Sequence, residues 1–245
     1  MQYDEFIELA RKRRSVRRVK PDPVPDEAVE KILEAGRWAM SGGNGQPWEF
    51  IVVKDQKIKD EMASTWAELR KEMYDIPEMT RVEELRHPLA SHPYKLPPFK
   101  DAPVLIVVCG DKRTYLATVL GGIFFGGDGG LMEATFLKNM ANTCQMMHLA
   151  TASLGLGSQW FSIPRPWEQE LKKILEVPSI LEIHSMVVVG YSAYETPPPY
   201  RRELKALVHY NKYDKSKFRS GEDIINWMHT SRQSIRTADG KAYNK

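Results

Sequence analysis

The sequence is poor in cysteine, with only Cys109 and Cys144 among its 245 residues. Two thiols this far apart make neither a disulfide framework nor a four-ligand metal set, so we expect both to be buried and reduced. His87 and His92 lie near each other, but no cysteine or carboxylate beside them completes a metal site. No metal is therefore predicted.

Long hydrophobic runs are also absent. None approaches the roughly 20 apolar residues that cross a bilayer. The first residues, MQYDEFIELARKRRS, contain no apolar core followed by a small-residue cleavage site, so they do not resemble a secretory signal. We therefore expect a cytoplasmic protein with no membrane partner.

Several motifs that carry chemistry are missing. The chain has no G-x-x-x-x-G-K-[ST] phosphate loop, no G-x-G-x-x-G after a strand, no H-E-x-x-H and no G-x-S-x-G, which disfavours the nucleotide hydrolases, zinc proteases and serine hydrolases that use them. The formal net charge of +3 is too small to indicate nucleic acid by itself. The positive excess is nevertheless local, since it is concentrated between residues 11 and 20.

Apolar periodicity outlines the secondary structure. Helical spacing predicts helices over 4–14, from Val29 to Met40, over a long buried stretch from Glu133 to Leu154, over 168–175 and around 224–228. Runs rich in β-branched residues predict strands at Trp48–Val53, Val104–Cys109 and 183–191, the first two as neighbours. The elements do not alternate strictly as β-α-β, which favours an α+β fold.

The spacing of these elements predicts one domain spanning 1–245. Residues 56–101 and 111–131 are interpreted as two excursions over the core, the first because of its prolines and the second because of its glycines. The polar C-terminal extension, 203–245, has little apolar surface to bury by itself. We expect it to dock on a partner subunit.

The basic stretch contains Arg13-Arg14-Ser15-Val16-Arg17. Guanidinium groups and a hydroxyl at this spacing can bind a phosphate through charge-assisted hydrogen bonds. The alternatives are a solvated basic helix end, or a nucleic-acid or protein-interaction surface over 11–20.

A second segment, Ser41-Gly42-Gly43-Asn44-Gly45-Gln46-Pro47-Trp48, follows the predicted helix. Its amides offer both donors and acceptors, and its glycines let a flat ring approach the backbone. The alternative is an ordinary turn between a helix and a strand.

R-R-S-V-R followed by S-G-x-N-x-Q-P-W-x-F resembles the paired signature of the nitroreductase superfamily. A third segment, Leu154–Trp160, resembles the glycine-rich stretch of that family, and a fourth, from Val189 to Tyr210, resembles its C-terminal strand and the arginine beyond it. The four segments occur in the family's order. The resemblance implies a nitroreductase-like α+β fold, with a central mixed or antiparallel sheet flanked by helices. It also implies a homodimer that exchanges its C-terminal tails.

The resemblance implies FMN as the cofactor and a role for each matching residue. The phosphate would lie against Arg13, Arg14, Ser15 and Arg17, with Arg201, or its neighbour Arg202, beyond the last strand. The ribityl chain and pyrimidine edge would face Met40, Ser41, Gly42, Asn44 and Gln46, often from the other subunit, and Gly157 and Ser158 would lie near N5. Two positions depart from the pattern, Met40 where proline is frequent and Met146 where asparagine is frequent. No side chain is predicted as an obligatory catalytic acid or base, and His148 is expected to be a core or interface histidine.

The implied activity is electron transfer from NADH or NADPH through flavin N5 to a small aromatic or conjugated acceptor, such as a nitroaromatic or a quinone. Reductive dehalogenation and ene reduction are alternatives on the same scaffold. A nucleic-acid or protein-interaction module is the alternative from another class, although under the oxidoreductase interpretation we expect no nucleic-acid partner.

Overall fold

The computed structural model describes residues 2–80, 82, 96–116, 129–196 and 198–233. Its contacts divide the chain into two compact units, Met1–Ala193 and Tyr194–Lys245. The single domain expected over 1–245 stays a prediction.

The first unit contains the sheet and most of the helices. Its elements are α1 (Tyr3–Lys12), α2 (Asp26–Arg37), β1 (Trp48–Val53), α3 (Gln56–Arg70), α4 (Ile76–Met79), β2 (Val104–Gly110), α5 (Arg113–Leu116), α6 (Gly129–Ser153), β3 (Gly157–Ser162), α7 (Arg165–Ile174) and β4 (Glu182–Gly190). Helix starts follow local chemistry. The Asp55 carboxylate accepts the first free N–H groups of α3, and acidic residues occupy the first turn of α2.

The four strands form one antiparallel sheet in the order β1-β2-β4-β3. Every residue of β2 is buried, as its unbroken apolar run requires, and β1 and β2 are neighbours as predicted. The register slips between β2 and β4 at His184, where β4 carries one extra residue. The expected α+β architecture is confirmed, with an antiparallel rather than a mixed sheet.

Helices cover both faces of the sheet. On one face, α2 and α6 pack over a core that includes Ile32, Phe136 and Met140, and on the other, α3 and α7 pack over a core that includes Met62 and Trp167. Cys109 and Cys144 are free and buried, which confirms the expectation of reduced core thiols. Burial raises the pKa of Cys109 to about 12 and that of Cys144 to about 11.

Some sequence predictions need correction. Helix α2 ends at Arg37 rather than Met40, and Met40 is 77% exposed. Leu137 and Leu154, assigned to the buried stripe of α6, are 43% and 36% exposed. Strand β3 was not predicted, because its sequence GSQWFS contains no apolar run.

The two predicted excursions are described only in part. Residues 56–70 form α3, whose Met62, Ala63 and Ala67 belong to the core. Residues 81, 83–95 and 117–128 lie outside the described residues, so the covering role of 56–101 and 111–131 stays a prediction.

The second unit contains one regular helix, α8 (Gly221–Gln233), which confirms the helix expected around 224–228. Lys217 stabilises the preceding turns by donating to the carbonyl oxygens of Lys205 and Val208, at 3.0 and 2.8 Å. In the part of the chain that is described, no helix combines the length and the apolar content needed to cross a membrane.

Two glycines in the β3–β4 ladder leave room for two valines of the chain after α1. Gly157 and Gly190 pair across the strands. A Cβ on Gly157 would lie 2.9 Å from a methyl of Val16, and one on Gly190 would lie 2.8 Å from the Cβ of Val19. Val16 and Val19 are consequently buried, and they fix residues 13–20, hereafter the basic segment, across this end of the sheet.

We predict that Gly190→Ala displaces the basic segment. The new methyl would overlap the rigid Cβ of Val19, and overpacking of this kind costs about 1–3 kcal/mol. Chemical denaturation should register that loss, and limited trypsin digestion should cut after Arg17 or Arg18 faster than in the wild type. Gly221→Ala is the control, since nothing lies within 4 Å of its added Cβ. If trypsin cut Gly190→Ala after Arg17 or Arg18 no faster than the wild type, the docking of the basic segment on the sheet would be contradicted.

Candidate functional site

The basic segment is attached to the sheet by backbone hydrogen bonds. Val16 N–H donates to the Ser158 carbonyl oxygen at 2.9 Å, and Lys20 N–H donates to the Tyr191 carbonyl oxygen at 2.7 Å. Ser15 and Ser158 form an isolated parallel bridge. The structure therefore brings together two of the segments singled out in the sequence, 13–17 and 157–158.

The side chains of the basic segment fall into two groups that differ in burial. Val16 and Val19 point into the core, whereas Ser15 is exposed and Arg13, Arg14 and Arg17 are half-buried. Three arginines and a serine therefore lie within five residues on a backbone that is hydrogen-bonded to the sheet at Val16 and Lys20.

The pairing of Ser15 with Ser158 bears on the predicted roles of both residues. Ser15 is a predicted phosphate ligand, and Ser158 with Gly157 is a predicted neighbour of N5. The structure brings the predicted phosphate ligand and the predicted neighbours of N5 next to each other, and both roles stay predictions. Gly157 and Ser158 lie beside the basic segment.

Ser158 also contacts a buried histidine of α6. His148 Nδ1 lies 2.7 Å from Ser158 Oγ, and its ring stacks on Trp160 with centroids 5.8 Å apart. His148 Nε2 is buried without a hydrogen-bond partner among the described residues. The rings of Trp160 and His184 also meet in an edge-to-face arrangement, with centroids 5.9 Å apart, at the extra residue of β4.

Burial keeps both histidines neutral. Desolvation lowers the pKa of His148 from 6.5 to about 4, with a smaller contribution from the positive charge of Arg13. Burial also lowers the pKa of His184, against the pull of Glu182 and Glu133. The expectation of a core histidine at 148 is confirmed, and its bond to Ser158 attaches α6 to the start of β3.

The second predicted segment forms an irregular loop between α2 and β1. Residues 40–46, hereafter the cofactor loop, contain three positive φ angles, at Gly43 (60°), Asn44 (52°) and Gln46 (42°). The Gln46 N–H donates to Ser41 Oγ at 3.0 Å, which closes the loop on itself. A non-glycine residue in this region costs on the order of 1 kcal/mol, so other contacts must hold the loop in place.

Those contacts come from α6, which sequence reasoning did not connect with the loop. The Gly42 N–H donates to Asn139 Oδ1 at 3.2 Å, and Asn142 Nδ2 donates to the Met40 carbonyl oxygen at 3.1 Å. Thr143 Oγ1 donates to the Gly36 carbonyl oxygen at 2.9 Å, at the end of α2. Polar residues at i, i+3 and i+4 on an otherwise apolar helix were the signal available in the sequence.

The two halves of the candidate site lie on opposite flanks of α6. Asn139 touches the cofactor loop, and His148 touches Ser158 beside the basic segment. Nine residues separate them, which is two and a half helical turns and roughly 14 Å along the axis.

The remaining predicted residues, Arg201 and Arg202, belong to the second unit. Arg201 is exposed and donates to the Tyr200 carbonyl oxygen at 2.9 Å, and the half-buried Arg202 donates to the Ala206 carbonyl oxygen at 3.1 Å. Within the described ranges, no group of three histidine, cysteine or acidic side chains is arranged to hold a metal ion.

We predict that His148 makes the stability of the fold depend on pH. Its pKa is lower in the folded chain than the ordinary 6.5, so the unfolded chain takes up the proton first and stability is lost as pH falls from about 6.5 toward 4. Between pH 7.5 and pH 5 this amounts to about 2 kcal/mol. Urea denaturation at both values should show a smaller loss for His148→Phe than for the wild type. His184 contributes equally to both proteins, and equal losses would refute the assignment to His148.

The chain is similar to known proteins along most of its length. The model of the nitroreductase family matches residues 10–191. An NADH dehydrogenase of Thermus thermophilus is 30% identical over 218 residues, which cover 81% of this chain and 92% of the relative. An iodotyrosine deiodinase of Thermotoga neapolitana is 27% identical over 208 residues, which cover 85% and 98%.

A solved structure is similar over the same length. Oxidised iodotyrosine deiodinase bound to FMN and 3-iodo-L-tyrosine matches with a TM-score of 0.63 and 26% identity, covering 85% of this chain and 100% of that one. The similarity confirms the resemblance noted in the sequence and the nitroreductase-like fold that it implied. The chain belongs to the nitroreductase family of oxidoreductases.

Proposed function

We propose that this chain is an FMN-dependent oxidoreductase that takes electrons from NADH or NADPH and passes them to a small aromatic or conjugated acceptor. The observation that carries the proposal is the docking of Val16 and Val19 on Gly157 and Gly190, because it holds three arginines and a serine in place beside β3. Family membership and an FMN-bound relative support the same cofactor.

The residues present fit FMN. The basic segment would supply guanidinium groups and a hydroxyl for a dianionic phosphate, and Gly157 and Ser158, which lie beside it, would face N5. The cofactor loop supplies backbone and amide groups for the ribityl chain and pyrimidine edge. Its left-handed backbone lets a flat ring come close to the chain. The role of Arg201 or Arg202 as a further phosphate ligand stays a prediction from the resemblance.

When bound, FMN supplies the redox chemistry, and the protein supplies orientation, charge and exclusion of water. The arginines of the basic segment would offset the phosphate charge. Backbone N–H groups of the cofactor loop would stabilise negative charge that develops on the pyrimidine edge. The neutral His148 holds Ser158 without adding a charge beside the arginines. No described side chain is needed as an obligatory acid or base.

Reductive dehalogenation of a phenol is the second candidate function. It is favoured by the similarity to an iodotyrosine deiodinase along 98% of that relative and by the structure of such an enzyme with 3-iodo-L-tyrosine. The two candidates share a cofactor and differ in acceptor. We propose that residues 56–101 and 111–131 cover the flavin and select between the two kinds of acceptor.

We further propose that the enzyme is a homodimer. Within one chain the contacts of the cofactor loop and of Ser158 lie on opposite flanks of α6, and a second copy would bring a cofactor loop next to a basic segment. The outward ridge of α6 has few charges and includes the half-buried Ala141, Leu149 and Ala152. In the second unit, Leu204, Tyr210 and Phe218 are 74%, 85% and 74% exposed, which supports docking of the tail 203–245 on a partner.

We predict that purified protein is yellow, binds FMN and loses affinity for it in Arg17→Ala. Loss of one charge-assisted bond to phosphate corresponds to about 10-fold to 100-fold weaker binding in a fluorescence titration. Lys12→Ala removes the same charge from the exposed end of α1 and should bind normally. Riboflavin lacks the phosphate, so Arg17→Ala should bind it as the wild type does.

The same preparation should then oxidise NADH or NADPH in the presence of an acceptor. A nitroaromatic, a quinone and a halophenol distinguish the candidates, since only dehalogenation releases halide. A colourless protein that stays colourless with added FMN would overturn the proposed function.

We predict that Ala141→Arg converts the dimer into monomers. Two arginines would meet across the symmetric ridge of α6, and their mutual repulsion and bulk oppose association. Sedimentation velocity gives the mass, with Ser64→Arg as a control on the exposed side of α3, on the opposite face of the sheet. A wild-type chain that sediments as a monomer would overturn the homodimer.

A further inference from the structure

The cofactor loop contains one residue, Gln46, whose type rarely adopts the left-handed backbone found there. Gln46 has a φ of 42° and Asn44 a φ of 52°, and only Gly43 among the three left-handed residues is free of a Cβ. A strained loop of this kind persists only where surrounding groups hold it. Without its contacts, the loop would relax toward ordinary backbone angles.

Two asparagines of α6 provide the contacts on the first half of the loop. Asn139 accepts the Gly42 N–H, and Asn142 donates to the Met40 carbonyl oxygen three residues further along the helix. Asn139 thus accepts from a backbone N–H group, whereas Asn142 donates to a backbone carbonyl group. Together they fix the orientation of both peptide groups that lead into the left-handed turn.

The burial of Asn139 is a second, independent observation. Its side chain is 4% exposed, yet Nδ2 has no hydrogen-bond partner among the described residues. A buried amide with one unsatisfied N–H donor makes an apolar core less stable than leucine or alanine at the same position would. The residue is thus ill-suited to a packing role and well suited to holding the Gly42 N–H.

We propose that Asn139 and Asn142 are positioning residues that set the cofactor loop for flavin binding. This inference rests on the proposed function. The asparagines act through the backbone of Met40 and Gly42, and the loop then presents its own groups to the pyrimidine edge. Thr143 does the same for the end of α2, through the Gly36 carbonyl oxygen, and holds the helix rather than the loop.

The test uses substitutions that keep or remove one hydrogen-bonding role. Asn142→Asp cannot donate to the Met40 carbonyl oxygen, and Asn139→Ala cannot accept from Gly42 N–H. Asn139→Asp keeps the acceptor while adding the same charge as Asn142→Asp. Gln169→Glu, on the exposed side of α7, is a matched amide-to-carboxylate control away from the loop. Each full-length variant is measured for FMN affinity and for the free energy of unfolding without FMN.

We expect Asn139→Ala and Asn142→Asp to bind FMN about 10-fold more weakly, since each loses about one hydrogen bond's contribution to the bound geometry. Without FMN, the free energy of unfolding of each variant should fall by less than its free energy of FMN binding, because relaxation of the strained loop offsets the lost hydrogen bond. Asn139→Asp should bind within about threefold of the wild type and Gln169→Glu equally well. At saturating FMN, the reduction potential should shift to lower values in the two weakened variants.

The outcomes separate the two proposals. Should the wild type bind FMN and both weakened variants bind it equally well, the positioning role is overturned while the proposed function stands. If the free energy of unfolding fell as much as the free energy of FMN binding, and the reduction potential did not change, the asparagines would have a structural role only. If Asn139→Asp does not fold, Asn142→Asp against Gln169→Glu decides the question. A wild-type chain that takes up no FMN overturns the proposed function and this inference with it.

Discussion

The docking of two valines on two paired glycines is the contact on which the site depends. Val16 and Val19 occupy the space that side chains at Gly157 and Gly190 would fill, so the chain after α1 lies across the end of β3 and β4 with an extended backbone. Val16 and Val19 are buried there, whereas Ser15 is exposed and Arg13, Arg14 and Arg17 stay half-buried. The arginines are consequently held beside the start of β3 instead of extending the end of α1.

Helix α6 organises the rest of the first unit. Its buried stripe covers one face of the sheet through Phe136 and Met140, while its two flanks carry different polar groups. One flank holds the cofactor loop through Asn139 and Asn142, and the other holds the start of β3 through His148. Because a rigid helix separates these contacts, the geometry of each half-site is fixed independently. A two-fold axis along the outward ridge would bring half-sites of different chains together.

Burial keeps two thiols and two histidines of the first unit uncharged. Burial raises the pKa of both thiols and lowers that of His148 and His184, so none of the four carries a charge at neutral pH. The charges that matter to the proposed function are then those of the basic segment and of the cofactor itself. In a site of this kind the protein changes a reaction mainly by where it places fixed charges and backbone dipoles.

Local sequence determined much of this protein. The periodicity of apolar residues predicted α1, α2, β1, β2 and β4, because burial imposes the same spacing wherever such an element forms. The sequence also predicted that the basic segment can bind a phosphate and that residues 41–46 form a turn. Arginine is positively charged and glycine is conformationally permissive in any context. The order of four motifs indicated the family.

Only the tertiary structure decided how these pieces meet. Strand β3 has no apolar run and exists because it pairs with β4, and the bonds that fix the cofactor loop join residues 97 and 102 positions apart. The partner of His148 and the opposite placement of the two half-sites likewise follow from packing around α6. Such contacts depend on distances between remote parts of the chain, and a linear pattern of residue types does not encode those distances.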